Sequence, residues 1–213
     1  MIFRFCKRIF DVVAALLGLV ILLPVCCVVG VVIKLESPGP VLFRQLRMGL
    51  HMKPFTIYKF RTMYVEAPKD CATRNLENSG SYITPVGKFL RNTSIDEIPQ
   101  LINILKGEMS FIGPRPVVLS ELDLIQSREG KGVYDVKPGL SGWAQINGRD
   151  LVSVEDKTSY DTYYVDHYGF KMDMLIFLKT ILYVLRRADI QEGKTKVFRF
   201  EKQMEESVEN KAS

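Results

Sequence analysis

The longest apolar run in the chain extends from Val12 to Ile33 without one charged residue. That is enough for a bilayer crossing at the roughly 20 residues a membrane helix requires. Arg4, Lys7 and Arg8 precede the run, and Lys34, Arg44, Arg47 and Lys53 follow it. Positive residues gather on the cytoplasmic side of membrane segments, so basic flanks at both ends place both ends on that side. Pro24 sits mid-run, where it removes a helical hydrogen bond and favours a kink. Together these features predict a re-entrant helix-break-helix over residues 1–36, broken at Pro24, with a simple span as the alternative. A cleaved signal peptide fits less well, because the run outlasts the usual apolar region and no small-residue cleavage site follows.

Beyond it the pattern shortens and alternates. Ser37-Pro38-Gly39-Pro40 reads as a turn. Val41 to Gln45 reads as a short strand, and Phe55 to Met63 as a longer one rich in β-branched and aromatic residues. Lys59 and Arg61 fall on one face of the second strand. They form either an exposed basic edge or a pair of cations for an anionic substrate or lipid head groups. Val65 to Ser81 is polar and of a length often used as a lid. Thr84-Pro85 opens a helix to about Asn92. Ile95, Ile98, Leu101, Ile102 and Leu105 mark the buried face of the next helix, with Gly107 as its stop. Another helix is expected after Pro116, to about Ser127. Ser153 with Asp156 opens a further one carrying Tyr160, Tyr163, Tyr164 and Tyr168. Asp161, Asp166 and Asp173 are expected to be solvated or ion-paired. Met172 to Leu185 is amphipathic and suits the core or a membrane surface. From Gln191 onward the chain is charged and poor in apolar residues, the composition of a disordered tail.

The predicted architecture is α+β: a mostly helical membrane-associated domain with a small β element and surface amphipathic helices. Residues 1–36 are expected to form the membrane element, 37–190 the main folded domain, where any chemistry would reside, and 191–213 the tail. At 213 residues the chain can bury a real core. Its net charge of +5 suits nucleic acid, anionic lipid or a phosphorylated substrate without choosing among them. Four cysteines without paired spacing indicate neither a disulfide framework nor a zinc site. Two distant histidines exclude a histidine-rich metal centre. No Gly-rich dinucleotide or nucleotide-triphosphate loop is present.

Candidate chemistry gathers between Arg91 and Pro116. Ser94 and Glu97 have capping-box spacing, which would set Asp96 and Glu97 at the mouth of the apolar helix. Unpaired N–H groups and the helix dipole would keep Asp96 ionised there, and the same place attracts phosphate. Arg91 lies just ahead, and Arg115 is braced between prolines in Gly-Pro-Arg-Pro, so gripping an anion loses less entropy. Asp-Glu alone could be an ordinary capped first turn; the pair with a braced arginine favours phosphoryl chemistry. The second informative stretch is Val136 to Arg149, where Gly139, Gly142 and Gly148 surround Trp143, the only tryptophan. It reads as a ligand-approaching loop with Gln145 and Arg149 as contacts, or as a connector with one aromatic anchor.

These motifs in this order resemble the bacterial sugar transferase family, the monotopic phosphoglycosyl transferases. The resemblance runs to about residue 187. It rests on Lys7-Arg8 with Asp11; Ser37, Gly39, Pro40, Phe43, Gln45, Arg47 and Gly49; Lys59-Phe60-Arg61-Thr62-Met63; Asp96-Glu97 with Pro99-Gln100-Leu101; Gly113-Pro114-Arg115-Pro116; and Pro138-Gly139, Gly142, Ala144-Gln145 and Gly148-Arg149. It implies transfer of a sugar-1-phosphate from a UDP-sugar to polyprenyl (undecaprenyl) phosphate, with UMP released and Mg²⁺ required, as the first membrane step of exopolysaccharide or lipopolysaccharide synthesis. Asp96 would be the nucleophile and hold the phosphosugar covalently. Glu97 would assist through Mg²⁺, held with Asp96, or through proton handling. Arg91, Arg115, Arg149, Gln145, Lys59 and Arg61 would bind substrate and phosphate. The implied setting is the cytoplasmic face of the bacterial inner membrane, among membrane lipids, with no nucleic-acid partner and a homodimer possible. Leu23 stands before Pro24 where family members often have serine. Larger relatives carry an extra N-terminal membrane bundle, so this chain is expected to be the minimal catalytic unit. The competing readings are a glycosyltransferase that moves only the sugar and releases UDP, and a non-catalytic membrane-anchored binding protein.

Overall fold

The computed structural model describes residues 2–68, 79–147 and 152–185. Arg149, most of the expected lid and the C-terminal tail lie outside them. Helix α1 (Ile2–Glu36) is followed by strands β1 (Leu42–Met48) and β2 (Pro54–Phe60) and the short helix α2 (Ser79–Tyr82). Then come α3 (Pro85–Thr93), α4 (Gln100–Lys106), β3 (Ser110–Ile112), α5 (Leu122–Arg128), β4 (Gly139–Ser141), α6 (Trp143–Ile146), α7 (Val154–Asp166) and α8 (Phe170–Leu185). Among the described residues the fold is mostly helical with two small sheets, as expected. β1 and β2 form an antiparallel hairpin from Leu42↔Phe60 to Met48↔Pro54. β3 and β4 pair in parallel, joined across the intervening α5.

Local signals placed several boundaries well. Thr84 caps α3 by accepting a hydrogen bond from the Gly87 N–H at 2.9 Å, and Ser153 caps α7 in the same way from Asp156. Gly107 ends α4 in the left-handed region at φ 84°. The capping box at Ser94 does not form. Ser94 is left-handed at φ 57° and closes the end of α3, its N–H reaching the Arg91 carbonyl at 3.1 Å. A residue in that conformation cannot also supply the extended geometry of an N-cap. Ile95–Glu97 therefore makes a 3-10 turn, and α4 starts after Pro99.

Pro24 does not break the membrane element either: α1 is one helix of 35 residues running through it. Packing on both sides of the proline explains the continuity. Ala15 upstream and Val29 and Ile33 downstream are all buried against the same domain, which outweighs one lost hydrogen bond. Polar contacts hold both ends of the helix. Arg8 donates to the Ile104 and Leu105 carbonyls at 2.6 and 2.9 Å. Asp11 accepts from Ser110 Oγ and the Phe111 N–H, each at 3.1 Å. Lys7 pairs with Asp173, and Glu36 accepts from the Val86 N–H at 2.8 Å. The opposite face of α1 is exposed and apolar, including Leu16, Leu17, Val20, Ile21 and Val28, and α8 likewise exposes Phe170, Phe177, Leu178 and Leu182.

The core between α1, the hairpin and α4 is built from Ala15, Phe55, Ile57, Leu101, Ile104 and Met109. Asn103, fully buried on α4, ties that helix to β2. It accepts from the Tyr58 N–H at 3.1 Å and donates to the Thr56 carbonyl at 2.7 Å. This seam sets the hairpin beside the 3-10 turn that carries Asp96. A second core of Ile112, Val136, Tyr164, Met172 and Ile176 joins β3 to α7 and α8.

Candidate active site

Asp96 lies on the 3-10 turn and is 8 % exposed. The hairpin delivers Lys59 to it: Lys59 Nζ is 2.6 Å from Glu97 Oε1 and 4.0 Å from Asp96 Oδ2. Arg115 Nη1 approaches Glu97 Oε1 from the Gly-Pro-Arg-Pro turn at 3.8 Å. Arg91, at the end of α3, donates from Nε to Thr62 Oγ1 at 2.8 Å and adds positive potential at Asp96. Thus Lys59, Arg91 and Arg115, from three separate elements, surround one acid pair.

At the mouth of a helix Asp96 would be kept ionised by free N–H groups and the helix dipole. Burial reverses that. Desolvation pushes the Asp96 carboxyl from 3.8 up to about 6, against the pull of Lys59, Arg91 and Arg115 and with help from the charge on Glu97. The result is a carboxylate that is ionised near neutrality yet more basic than an exposed one, which suits a nucleophile.

A small cleft, with room for about one water molecule, adjoins Lys59 and Arg115 and is also lined by Arg47, Ile57, Gln100, Pro116 and Gly139. Gln100 is 3 % exposed, and its Nε2 is buried without a hydrogen-bond partner. Arg47 is steadied by Gln45 Oε1 at 2.6 Å. Neither was assigned a role from sequence. Gln100 sits four residues after Asp96, and that nearness was the available signal. Among the described residues no cluster of three or more His, Cys, Asp or Glu side chains could enclose a metal unaided.

Two residues expected at the phosphates are placed elsewhere. Arg61 is 6 % exposed and fastens the chain just after α1. It donates to the Pro38 carbonyl, to the Ser37 carbonyl at 2.7 Å and to Ser37 Oγ at 3.0 Å. It lies beyond the end of β2, so strand alternation did not govern its direction. Gln145 turns back on its own segment, donating to the Leu140 carbonyl at 3.0 Å. Its Oε1 is buried and unpartnered, and it does not line the cleft. The Gly-rich stretch is strand and helical turn rather than an open loop. A Cβ at Gly139 would meet Gly113 N at 2.1 Å, and one at Gly142 would meet Gly113 O at 2.1 Å. These glycines let two backbones touch. Trp143 stacks on Tyr163 with ring centroids 5.6 Å apart, beneath Lys179.

The α+β domain thus combines outer helices with exposed apolar faces and a buried, ionisable acid set among three cations. The profile of the family described as bacterial sugar transferase matches residues 2–187, and the chain belongs to that family. It is 42% identical over 186 residues to the sugar transferase EpsL of Bacillus subtilis, covering 87% of this chain and 90% of that one. It is 40% identical over 185 residues to the UDP-glucose:undecaprenyl-phosphate glucose-1-phosphate transferase of Escherichia coli, covering 84% and 40%. With the UDP-N-acetylgalactosamine-undecaprenyl-phosphate N-acetylgalactosaminephosphotransferase of Aeromonas hydrophila it shares 39% over 189 residues, covering 86% and 44%. The chain therefore spans nearly all of EpsL and less than half the length of the other two.

Proposed function

We propose that this protein transfers a sugar-1-phosphate from a UDP-sugar to polyprenyl phosphate through a covalent intermediate on Asp96. The observation that carries the reading is the buried Asp96 carboxyl, raised to about 6 and ringed by Lys59, Arg91 and Arg115. Relatives named as undecaprenyl-phosphate sugar-phosphate transferases support the same reaction.

In the first step an Asp96 oxygen attacks the sugar-bearing phosphorus. The bond from that phosphorus to the bridging oxygen breaks, and UMP leaves with the electron pair. Asp96 then holds an acyl phosphate bearing the sugar. In the second step a phosphate oxygen of the polyprenyl acceptor attacks the same phosphorus and returns Asp96 as a carboxylate. Lys59 and Arg115 stabilise charge on the transferring and departing phosphoryl oxygens. The pair Asp96 and Glu97 fits Mg²⁺ in the usual manner of one or two carboxylates completed by substrate phosphate oxygens. Held there, such an ion would supply neutralisation of the diphosphate charge.

The exposed apolar faces of α1 and α8 support a domain resting on the cytoplasmic leaflet of the bacterial inner membrane. There the acceptor phosphate sits at head-group level while its tail stays in lipid. In this geometry both ends of α1 stay on one side because the helix lies along the domain.

The test is a quenched reaction of purified protein with UDP-glucose and UDP-N-acetylgalactosamine in turn, without acceptor. Mass spectrometry is expected to find the phosphosugar on Asp96 and chromatography to find UMP. Release of UDP instead, or unimpaired turnover by Asp96→Asn, refutes the covalent route.

A further inference from the structure

Every residue of the Gly113-Pro114-Arg115-Pro116 turn is tied to another part of the fold, the first two to β4 and the last two to arginine side chains. The Gly113 N–H donates to the Ser141 carbonyl, and the Pro114 carbonyl accepts from the Gly139 N–H, both at 2.9 Å. The Arg115 carbonyl accepts from Arg128 Nη1 at 2.9 Å. The Pro116 carbonyl accepts from Arg47 Nη1 at 3.2 Å. Its two prolines remove two of the turn's four N–H groups, so three of the four ties run through its carbonyls. Two of the four ties come from arginine side chains.

Arg128, at the end of α5, is 3 % exposed, and its Nη2 pairs with Asp161 of α7, which is fully buried. A buried ion pair gains little net stability, because removing both charges from water offsets their attraction. This pair is also incompletely satisfied: Asp161 Oδ1 and Arg128 Nε are buried with no hydrogen-bond partner. Two apolar side chains would fill the same space between α5 and α7. What they could not do is present a donor to the Arg115 carbonyl. Asp161 fixes one end of a planar guanidinium, which leaves the other nitrogen aimed at the turn.

We infer that Arg128, held by Asp161, is a positioning residue that sets the backbone of Arg115 and thereby aims its guanidinium into the cleft at the donor's phosphates. The inference rests on the reading of Arg115 as a phosphate clamp. It predicts that residues on α5 and α7, outside the cleft, govern affinity for the nucleotide diphosphate through Arg115 alone.

A mutant cycle on the full chain in lipid nanodiscs tests this, with the dissociation constant for UDP in Mg²⁺ buffer as the readout and thermal midpoint as the folding control. Arg115→Ala is expected to weaken UDP about tenfold, the size of one charge-assisted hydrogen bond. Arg128→Met with Asp161→Leu, which replaces the pair by apolar groups, is expected to weaken it several-fold with the midpoint retained. Arg128→Lys, whose single ammonium stays with Asp161 and leaves the carbonyl, is expected to do the same. Adding Arg115→Ala to either is expected to weaken UDP no further than Arg115→Ala alone, because the groups then act as one unit. Additive losses, or unchanged affinity in the pair variants, overturn the inference while leaving the clamp intact. Unchanged affinity in Arg115→Ala removes the clamp and the inference together. If both Arg128 variants fail to fold, the pair is a stability element and the inference falls. UDP binding does not require an aspartyl intermediate, so failure of the covalent route is read separately.

Discussion

Replacing Asp96 by asparagine should make the protein more stable at neutral pH while stopping its chemistry. The carboxyl is raised from 3.8 to about 6, mainly by burial. At about 1.4 kcal/mol per pH unit, holding it ionised in the fold costs about 3 kcal/mol. The sign follows from the proton balance. Below pH 4 the group is protonated in both folded and unfolded chains, and asparagine changes little. Between pH 4 and 6 the unfolded chain loses its proton first, so the wild type loses stability as pH rises. Above 6 the full cost is present and constant. Asparagine, neutral throughout, escapes it. In a domain of this size ~3 kcal/mol corresponds to a rise in midpoint of roughly 6–12 °C. The assay is thermal unfolding of wild type and Asp96→Asn in the same detergent and at one scan rate, without donor, at pH 4 and pH 8. A gain at pH 8 that vanishes near pH 4 is expected. An equal or lower midpoint at pH 8, or a gain independent of pH, refutes the claim that Asp96 is held against desolvation.

Three more outcomes follow from the same geometry. Donor-only labelling of Asp96 should fall about tenfold per pH unit below 6, and Lys59→Met, which removes the largest opposing charge, should move that limb to higher pH in rapid-quench measurements. Asn103→Ala should lower stability by roughly 2–4 kcal/mol in denaturant titration, since the Thr56 carbonyl and Tyr58 N–H lose their partner inside the core. Gly139→Ala should disrupt the β3–β4 seam, because its Cβ would meet backbone at 2.1 Å; a destabilisation of about 1–3 kcal/mol with weakened UDP binding is expected by melting and calorimetry.

Much of the site's raw material was legible in the chain. The acid pair and the two arginines around it stand in the Arg91–Pro116 stretch that the sequence singled out, and Lys59, read separately as an exposed edge or a substrate-facing cation, joins them. The caps at Thr84 and Ser153 and the stop at Gly107 were readable because each depends on residues within one turn. The misreadings share a different cause. Ser94 has capping-box spacing, but the preceding helix uses it as its left-handed terminus. Arg61 shares strand parity with Lys59, but β2 ends at Phe60 and Arg61 turns to the carbonyls of residues 37 and 38. Gly139 and Gly142 looked like a ligand cradle because the backbone they touch, Gly113, is remote in the chain.

By itself the sequence determined most of the helices, the β1–β2 hairpin, the apolar N-terminal run and the presence of an acid pair near arginines, since periodicity, capping and charge are local properties. Tertiary structure decided that α1 packs along the domain on both sides of Pro24, that Lys59 meets Glu97 across 38 residues, and that Arg128, paired with Asp161, reaches the Arg115 carbonyl. It also decided the state of Asp96. Helix-end electrostatics argued for a low-pKa acid, and burial raised it instead, because desolvation depends on which distant elements close over a side chain and not on its neighbours in sequence.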